Sequence, residues 1–106
     1  MPKYLIQVSY NAEGAKGLAK DGGTKRRQAA QALVESVGGK METFYFAFGG
    51  SDVVAILDMP DSASMAAASL ALAASGKVTN KTTVLVTPEE MDQAKKKSPK
   101  YKAPGQ

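Results

Sequence analysis

The stretch FYFAFGGSDVVAILDMP, residues 44–60, contains two hydrophobic runs separated by Gly49, Gly50, Ser51 and Asp52. Both runs are rich in the aromatic and β-branched residues that favour strands, and a connection this short joins neighbouring antiparallel strands. The stretch therefore predicts a β-hairpin. It also places a carboxylate at the start of the second hairpin strand, which makes Asp52 the first candidate for a functional role.

The helical segments of the chain are marked by capping residues. The main helix is predicted to begin with Thr24 as its N-cap and to end at Gly38 and Gly39. A threonine hydroxyl can accept a backbone N–H of the first helical turn, and glycine readily adopts the left-handed conformation that ends a helix. Further helical segments are predicted at residues 13–20, between Asp61 and Gly76, and at residues 88–90.

Four strands are predicted, at residues 3–10, 40–48, 52–59 and 81–87. Residues 3–10 alternate between two faces, as expected of a strand. With the helices between them, the order becomes β-α-β-β-α-β. We therefore predict an α+β protein of the ferredoxin-like plan, in which a four-stranded antiparallel sheet carries both helices on one face. Right-handed crossovers would place the first and third strands at the centre of the sheet.

The predicted hairpin strands are apolar on both faces. On the first hairpin strand one face carries Phe44, Phe46 and Phe48 and the other carries Met41, Tyr45 and Ala47. On the second, one face carries Val54 and Ile56 and the other carries Val53, Ala55 and Leu57. Helices cover only one face of such a sheet, so the second face needs another cover. We predict an obligate homodimer with its two sheets packed face to face. The alternative is a monomer whose tyrosines and threonines make the second face sufficiently polar.

The composition excludes several kinds of site. The chain of 106 residues contains no cysteine and no histidine. Thiolate nucleophiles, disulfides, the usual zinc sites and imidazole acid-base catalysis are therefore excluded. We expect no metal site and no cofactor. The N-terminal residues lack the pattern of a signal peptide, and the most apolar run is too short to cross a bilayer, which predicts a cytoplasmic protein without membrane contact.

The net charge of +4 comes from the C-terminal segment. We predict a folded domain at residues 1–92 and a disordered tail rich in lysine and proline at residues 93–106. The tail serves solubility in the simplest interpretation; a weak contact with phosphate groups is the alternative. Because the rest of the chain has no excess of positive charge, nucleic acid is not an expected partner.

A series of short motifs follows the predicted elements. In chain order these motifs are Ser-Tyr, Ala-Glu-Gly, Gly-Gly-x-Lys-Arg-Arg, Val-Gly-Gly-Lys, Phe-Tyr-Phe-Ala-Phe-Gly, Ala-Ser-Gly and Lys-Thr-Thr-Val-Leu, together with an acid two residues after a glycine. The series resembles the GYD-domain family of small bacterial proteins, and the resemblance extends over about residues 2–90. It implies a dimeric α/β barrel built from ferredoxin-like subunits, and it implies no particular activity. The tripeptide that names the family corresponds to Gly50-Ser51-Asp52, so Ser51 stands in place of its tyrosine.

A binding cavity is expected between the sheet and its helices or at the mouth of the barrel. The residues predicted to border it are Asp52, Ser51, Lys25, Arg26, Arg27, Tyr10 and Tyr45. Asp52 could pair with Arg26 or Arg27, act as a general base, or accept N–H groups of the Gly49-Gly50 turn. The basic run opposes the helix dipole, so an acid (Asp52 or Asp21) or a bound anion should compensate it. The tyrosines could line a site for a planar ligand, or belong to the core or to the dimer interface.

Three functions fit these features. The first is a homo-oligomeric module without enzymatic activity that binds a small anionic or aromatic molecule near Asp52. The second is a cofactor-independent enzyme of the dimeric-barrel type, similar to a monooxygenase or an isomerase, with Asp52 as acid or base. The third is a purely structural assembly protein. We expect a binding role rather than an enzyme.

Overall fold

Four strands and four helices make up the protein, which a computed structural model describes over residues 1–106. In chain order the elements are β1 (Lys3–Tyr10), α1 (Ala12–Asp21), α2 (Gly23–Ser36), β2 (Lys40–Phe46), β3 (Val53–Asp58), α3 (Ser62–Ala74), β4 (Val78–Leu85) and α4 (Pro88–Lys97). The strands form one sheet in the order β2-β3-β1-β4, and every neighbouring pair is antiparallel. The predicted α+β, ferredoxin-like architecture is confirmed, with β1 and β3 at the centre of the sheet.

The helices α2 and α3 cover one face of the sheet. Helix α2 packs against β2, α3 packs against β4, and α1 contacts both β1 and α2. The buried core between these layers consists of Tyr4, Ile6, Val8, Val34, Val53, Ala55, Leu57, Met59, Met65 and Ala68. Alternate residues of β1 and β3 point into this core, because successive side chains of a strand point to opposite faces. The core-facing residues of β3 are therefore Val53, Ala55 and Leu57, which the predicted alternation of this strand placed on one face.

A β-bulge changes the faces of β2 from those predicted. The pairing of β2 with β3 shifts register between Met41 and Thr43, so one more residue lies on β2 than on its partner. As a result Met41 packs toward the core together with Phe44 and Phe46. The prediction that placed Met41 beside Tyr45 was wrong for this reason. Phe48 was also misplaced, because β2 ends at Phe46 and the Phe48 side chain is 103% exposed.

The first half of the chain contains two successive helices, close to the predicted helical segment at residues 13–20 and the predicted main helix. Helix α1 begins after Asn11, whose side-chain oxygen accepts the Gly14 N–H at 2.9 Å. Gly22 separates the helices with φ +81°, and it is also the N-cap of α2, which has no side-chain cap. Thr24 is therefore not the N-cap that it was predicted to be, because α2 has already begun at Gly23.

The end of α2 agrees with the prediction. Gly38 has φ +85°, and its N–H donates to the Glu35 carbonyl at 3.0 Å. The Gly39 N–H donates to the Val34 carbonyl, also at 3.0 Å. These two bonds form a Schellman motif, which satisfies carbonyl groups that have no partner inside the helix.

The second face of the sheet is not covered by any helix. Leu5, Val54 and Ile56 are half-buried there, and Tyr45 is 68% exposed. At one end of this face the Lys3 ammonium group donates to Asp58 and to Glu42, each at 2.8 Å. These hydrogen bonds raise the pKa of Lys3 to about 12, and the bond to Asp58 has a larger effect than the bond to Glu42. We call the surface formed by Leu5, Val54, Ile56 and Tyr45 the open face.

The C-terminal helix is longer than the turn predicted at residues 88–90. A capping box begins α4, in which Thr87 and Glu90 each accept a backbone N–H of the other at 3.0 Å. Acidic residues in its first turn and lysines in its last turn complement the helix dipole. The helix thus crosses the predicted domain boundary at residue 92, whereas disorder of the residues beyond Lys97 stays a prediction. None of the helices is long and apolar enough to cross a membrane.

Candidate functional site

An apolar cavity of about 130 Å³ lies between the sheet and helices α2 and α3. Of the 16 residues that line it, 15 are hydrophobic, and the remaining one is Arg26. The walls come from β1, β2, β3, β4 and the two helices, so the cavity is a gap within the core layer. We call this cavity the Arg26 chamber. Its lining favours an apolar occupant, with one cationic group at its edge.

A second and larger cavity adjoins the chamber. Its volume is about 300 Å³, and it shares Tyr10, Arg26, Leu33, Leu72 and Val78 with the chamber. It adds polar groups at the surface, among them Asp21, Ser75 and Lys77. We call it the vestibule. The shared walls place the two cavities side by side, with the apolar space on one side and the more polar space on the other.

Asp21 neutralises part of the positive charge at the start of α2. One Arg26 guanidinium nitrogen lies 3.6 Å from an Asp21 carboxylate oxygen, and the Lys25 ammonium lies 4.0 Å from the other oxygen. Of the two acids that were predicted to compensate the positive charge of the basic run, Asp21 is therefore the one that lies beside it. The structure contains no ion pair between Asp52 and Arg26 or Arg27.

Asp52 connects the end of β1 with the hairpin. Its carboxylate oxygen Oδ2 accepts the Tyr10 N–H at 2.8 Å. Its own N–H donates to the Val8 carbonyl at 2.8 Å, and its carbonyl accepts the Ala47 N–H at 2.9 Å. The N–H groups of Gly49 and Gly50 are not its partners, so the predicted role in the glycine turn was wrong. The side chain instead holds β1 and the hairpin together.

A third cavity lies beside Asp52. Its volume is about 560 Å³ and it is lined by Tyr10, Ala15, Leu18, Gly23, Phe46, Ala47, Phe48 and Asp52. Asp52 is the one charged residue of this lining, and its Oδ1 atom makes no hydrogen bond within the protein. We call this space the Asp52 cavity. Tyr10 belongs to the walls of all three cavities.

The other predicted site residues lie apart from this group. Ser51 precedes Asp52 but lines none of the three cavities, and Lys25 is exposed beside Asp21. Arg27 lines a separate hollow of about 260 Å³ with Gly23, Thr24, Phe44 and Phe46. Tyr45 lies on the open face, on the opposite side of the sheet from the chamber. The structure therefore places Tyr10 in the walls of cavities lined by Arg26 and of the cavity lined by Asp52, and it places Tyr45 on the other side of the sheet.

The sequence analysis missed Lys77 as a site residue. Lys77 is one of the residues that line the vestibule. The Asn11 N–H donates to the Lys77 carbonyl at 2.9 Å, which ties the start of α1 to the turn before β4. No local pattern marks this lysine, because its position depends on a contact between distant segments.

No group of three or more acidic side chains lies close enough together to hold a metal ion.

The arrangement of these elements agrees with the comparison with known protein families. A family model described as the GYD domain matches residues 4–94, which include all of β1 except Lys3, the other three strands, the residues lining the three cavities and the first part of α4. Comparison with curated proteins and with solved structures gave no significant match. Since the matched region covers most of the chain, including Asp52 and Arg26, the protein belongs to the GYD domain family.

Proposed function

We propose that this GYD-domain protein is a homo-oligomeric binding protein for a small molecule with a mainly apolar or aromatic body and one anionic group. The observation that carries the proposal is the lining of the Arg26 chamber, which is apolar except for one guanidinium group. An apolar cavity with a single polar group that fixes orientation is typical of small-molecule sites. In this proposal the anion lies at Arg26, whereas the sequence analysis placed it near Asp52.

The volumes support a ligand that occupies both the chamber and the vestibule. The chamber alone, at about 130 Å³, is smaller than ligand sites commonly are, roughly 300–1,000 Å³. The vestibule provides about 300 Å³ more, and Arg26 stands in the wall of both spaces. A ligand with its apolar end in the chamber would therefore present its polar end to Arg26 and Lys77.

The guanidinium group of Arg26 has N–H donors that are free to bind such a ligand. Its separation of 3.6 Å from the Asp21 carboxylate is longer than a charge-assisted hydrogen bond, which is about 2.7–2.9 Å. The side chain of Arg26 is 39% exposed, so the guanidinium group remains partly in water. A carboxylate ligand could thus be bound by Arg26 without first breaking a short ion pair.

Benzoate and benzyl alcohol test this proposal, because they share a flat apolar body and differ in the charged group. We expect the protein to bind benzoate more tightly, and Arg26→Gln to weaken benzoate about tenfold or more, since a hydrogen bond to a charged group contributes about 1.5–3 kcal/mol. The matched control is Arg27→Gln, which removes the same charge from the same helix but faces a separate hollow. Isothermal titration calorimetry gives the affinities.

The control variants define what would contradict the proposal. Equal weakening by Arg26→Gln and Arg27→Gln would show that only the overall charge matters. Equal affinities for benzoate and benzyl alcohol would show that the anionic group does not contribute to binding. Arg26→Lys keeps the charge but loses the bidentate geometry of the guanidinium group, so we expect it to restore only part of the affinity.

The open face supports the homo-oligomeric part of the proposal. Three half-buried aliphatic side chains and the exposed Tyr45 ring form an apolar surface without an intramolecular cover. Large apolar patches of this kind usually mark an interaction site. A second copy of the same face is self-complementary around a twofold axis, which makes a face-to-face dimer the simplest assembly.

Sedimentation velocity at low micromolar concentration tests the dimer. We expect the mass of two chains for the unmodified protein and the mass of one chain for Tyr45→Glu, because the charge would be buried in the interface. Leu70→Glu is the matched control, since Leu70 is 70% exposed on α3 and Tyr45 is 68% exposed on the open face. A single-chain mass for the unmodified protein, or equal dissociation by both variants, would refute the proposed interface.

A further inference from the structure

We propose that the Asp52 cavity is a second binding site, specific for a small organic ammonium cation. This inference is separate from the proposal for the Arg26 chamber, because the two spaces share Tyr10 but not their charged residue. It rests on three features of the cavity: the free oxygen of its carboxylate, its aromatic walls and the positions of the neighbouring basic side chains.

The carboxylate of Asp52 is held in position and still has a free oxygen. The Tyr10 N–H fixes Oδ2 at 2.8 Å, and Oδ1 makes no hydrogen bond within the protein. No other charged residue lines the cavity. A carboxylate held in this way repels an anion and attracts a cation, and it needs no rearrangement to do so.

Aromatic rings form much of the remaining wall. Tyr10, Phe46 and the aliphatic side chain of Leu18 line the cavity, and the fully exposed Phe48 lies at its open side. The face of an aromatic ring attracts an ammonium group, and several rings around one cavity are the common way to bind alkylated ammonium ions. The orientation of Phe46 is supported by edge-to-face contact with Phe44, at 5.3 Å between ring centroids and 85° between planes. An alkylated ammonium group matches both the rings and the carboxylate.

The basic side chains of α2 are directed to other partners. Lys25 and Arg26 lie beside Asp21, at 4.0 and 3.6 Å. Arg27 lines its own hollow and does not line the Asp52 cavity. No positive side chain therefore neutralises Asp52, and its charge remains available to a ligand. This is the opposite of the anionic ligand that the sequence analysis expected near Asp52.

Choline and its neutral tert-butyl isostere test this inference, because they have the same shape and differ only in charge. NMR titration would follow the aromatic resonances of Tyr10, Phe46 and Phe48. We expect choline to bind about tenfold or more tightly than the isostere, and Asp52→Asn to remove most of this difference. Asn can still accept the Tyr10 N–H, so this variant changes the charge and keeps the hydrogen bond. Asp92→Asn, on α4 and outside the cavity, is the charge-matched control.

Phe48→Ala makes the test independent of any folding defect in Asp52→Asn. The Phe48 side chain is fully exposed, so its removal should not disturb the core, yet it should weaken choline several-fold. Equal affinities for choline and its isostere would overturn the inference. The same holds for an equal loss of choline affinity in Asp52→Asn and Asp92→Asn, and for unchanged choline affinity in Phe48→Ala.

Discussion

Replacement of Gly14 by alanine is expected to destabilise the protein by about 2 kcal/mol or more, the usual range for forcing an extra atom into a packed site. A Cβ atom at Gly14 would lie 2.9 Å from the Tyr10 ring and still closer to the Lys77 carbonyl oxygen. Backbone oxygen cannot move aside as a flexible side chain can. The start of α1 would therefore have to shift away from β1 and from the turn before β4.

Gly17→Ala is the matched control in the same helix. Nothing lies within 4 Å of a Cβ atom at Gly17, and alanine favours a helix over glycine by about 0.5–1 kcal/mol. This variant should therefore be slightly more stable than the unmodified protein. Urea denaturation measures both free energies of unfolding. Changes of the same sign in the two variants would contradict the close approach at Gly14.

Replacement of Met59 by alanine is expected to cost about 2–5 kcal/mol, as for other large-to-small changes in protein cores. Met59 is 0% exposed and lies directly after β3, where its N–H donates to the Pro2 carbonyl at 3.0 Å. Its side chain fills the space beside Gly39 at the end of α2. Because small domains have a total stability of about 5–15 kcal/mol, this single change would remove a large part of it.

Met91→Ala is the comparison for Met59→Ala. Met91 lies on α4 with its side chain 57% exposed, so its replacement should change the free energy of unfolding by no more than about 0.5 kcal/mol. Urea denaturation under identical conditions gives both values. Similar losses in the two methionine variants would mean that α4 is packed against the rest of the protein in solution.

The strands and their order could be predicted because their signals are local. The alternation in residues 3–10 and the short connection after β2 are visible in single segments of sequence, and the topology follows from their order. Met59 illustrates the limit. The sequence placed it at the end of a strand, but its complete burial depends on Gly39 and Pro2, which are distant in the chain.

The errors at the helix starts and in β2 also have physical causes. Thr24 and Asn11 are both acceptable N-caps by residue type, and only the observed bonds show that Asn11 is used and Thr24 is not. A bulge such as the one near Glu42 leaves no mark in the pattern of apolar residues, because it changes the pairing between strands and not the composition of one strand.

Residue types suggested candidates for a site, whereas their contacts had to come from the structure. Arg26 and Asp52 were both candidates, and an ion pair between them was one of the alternatives. The structure pairs Arg26 with Asp21, five positions away, and binds Asp52 to the Tyr10 backbone, 42 positions away. The first pairing was one of three alternatives, namely Asp52, Asp21 and a bound anion. The second depends on where β1 ends relative to the hairpin.

The position of Tyr10 makes the three cavities interdependent in shape. One phenol side chain forms part of the wall of the Arg26 chamber, the vestibule and the Asp52 cavity. A substitution of this one side chain would therefore change the walls of all three cavities at once, those lined by Arg26 and the one lined by Asp52.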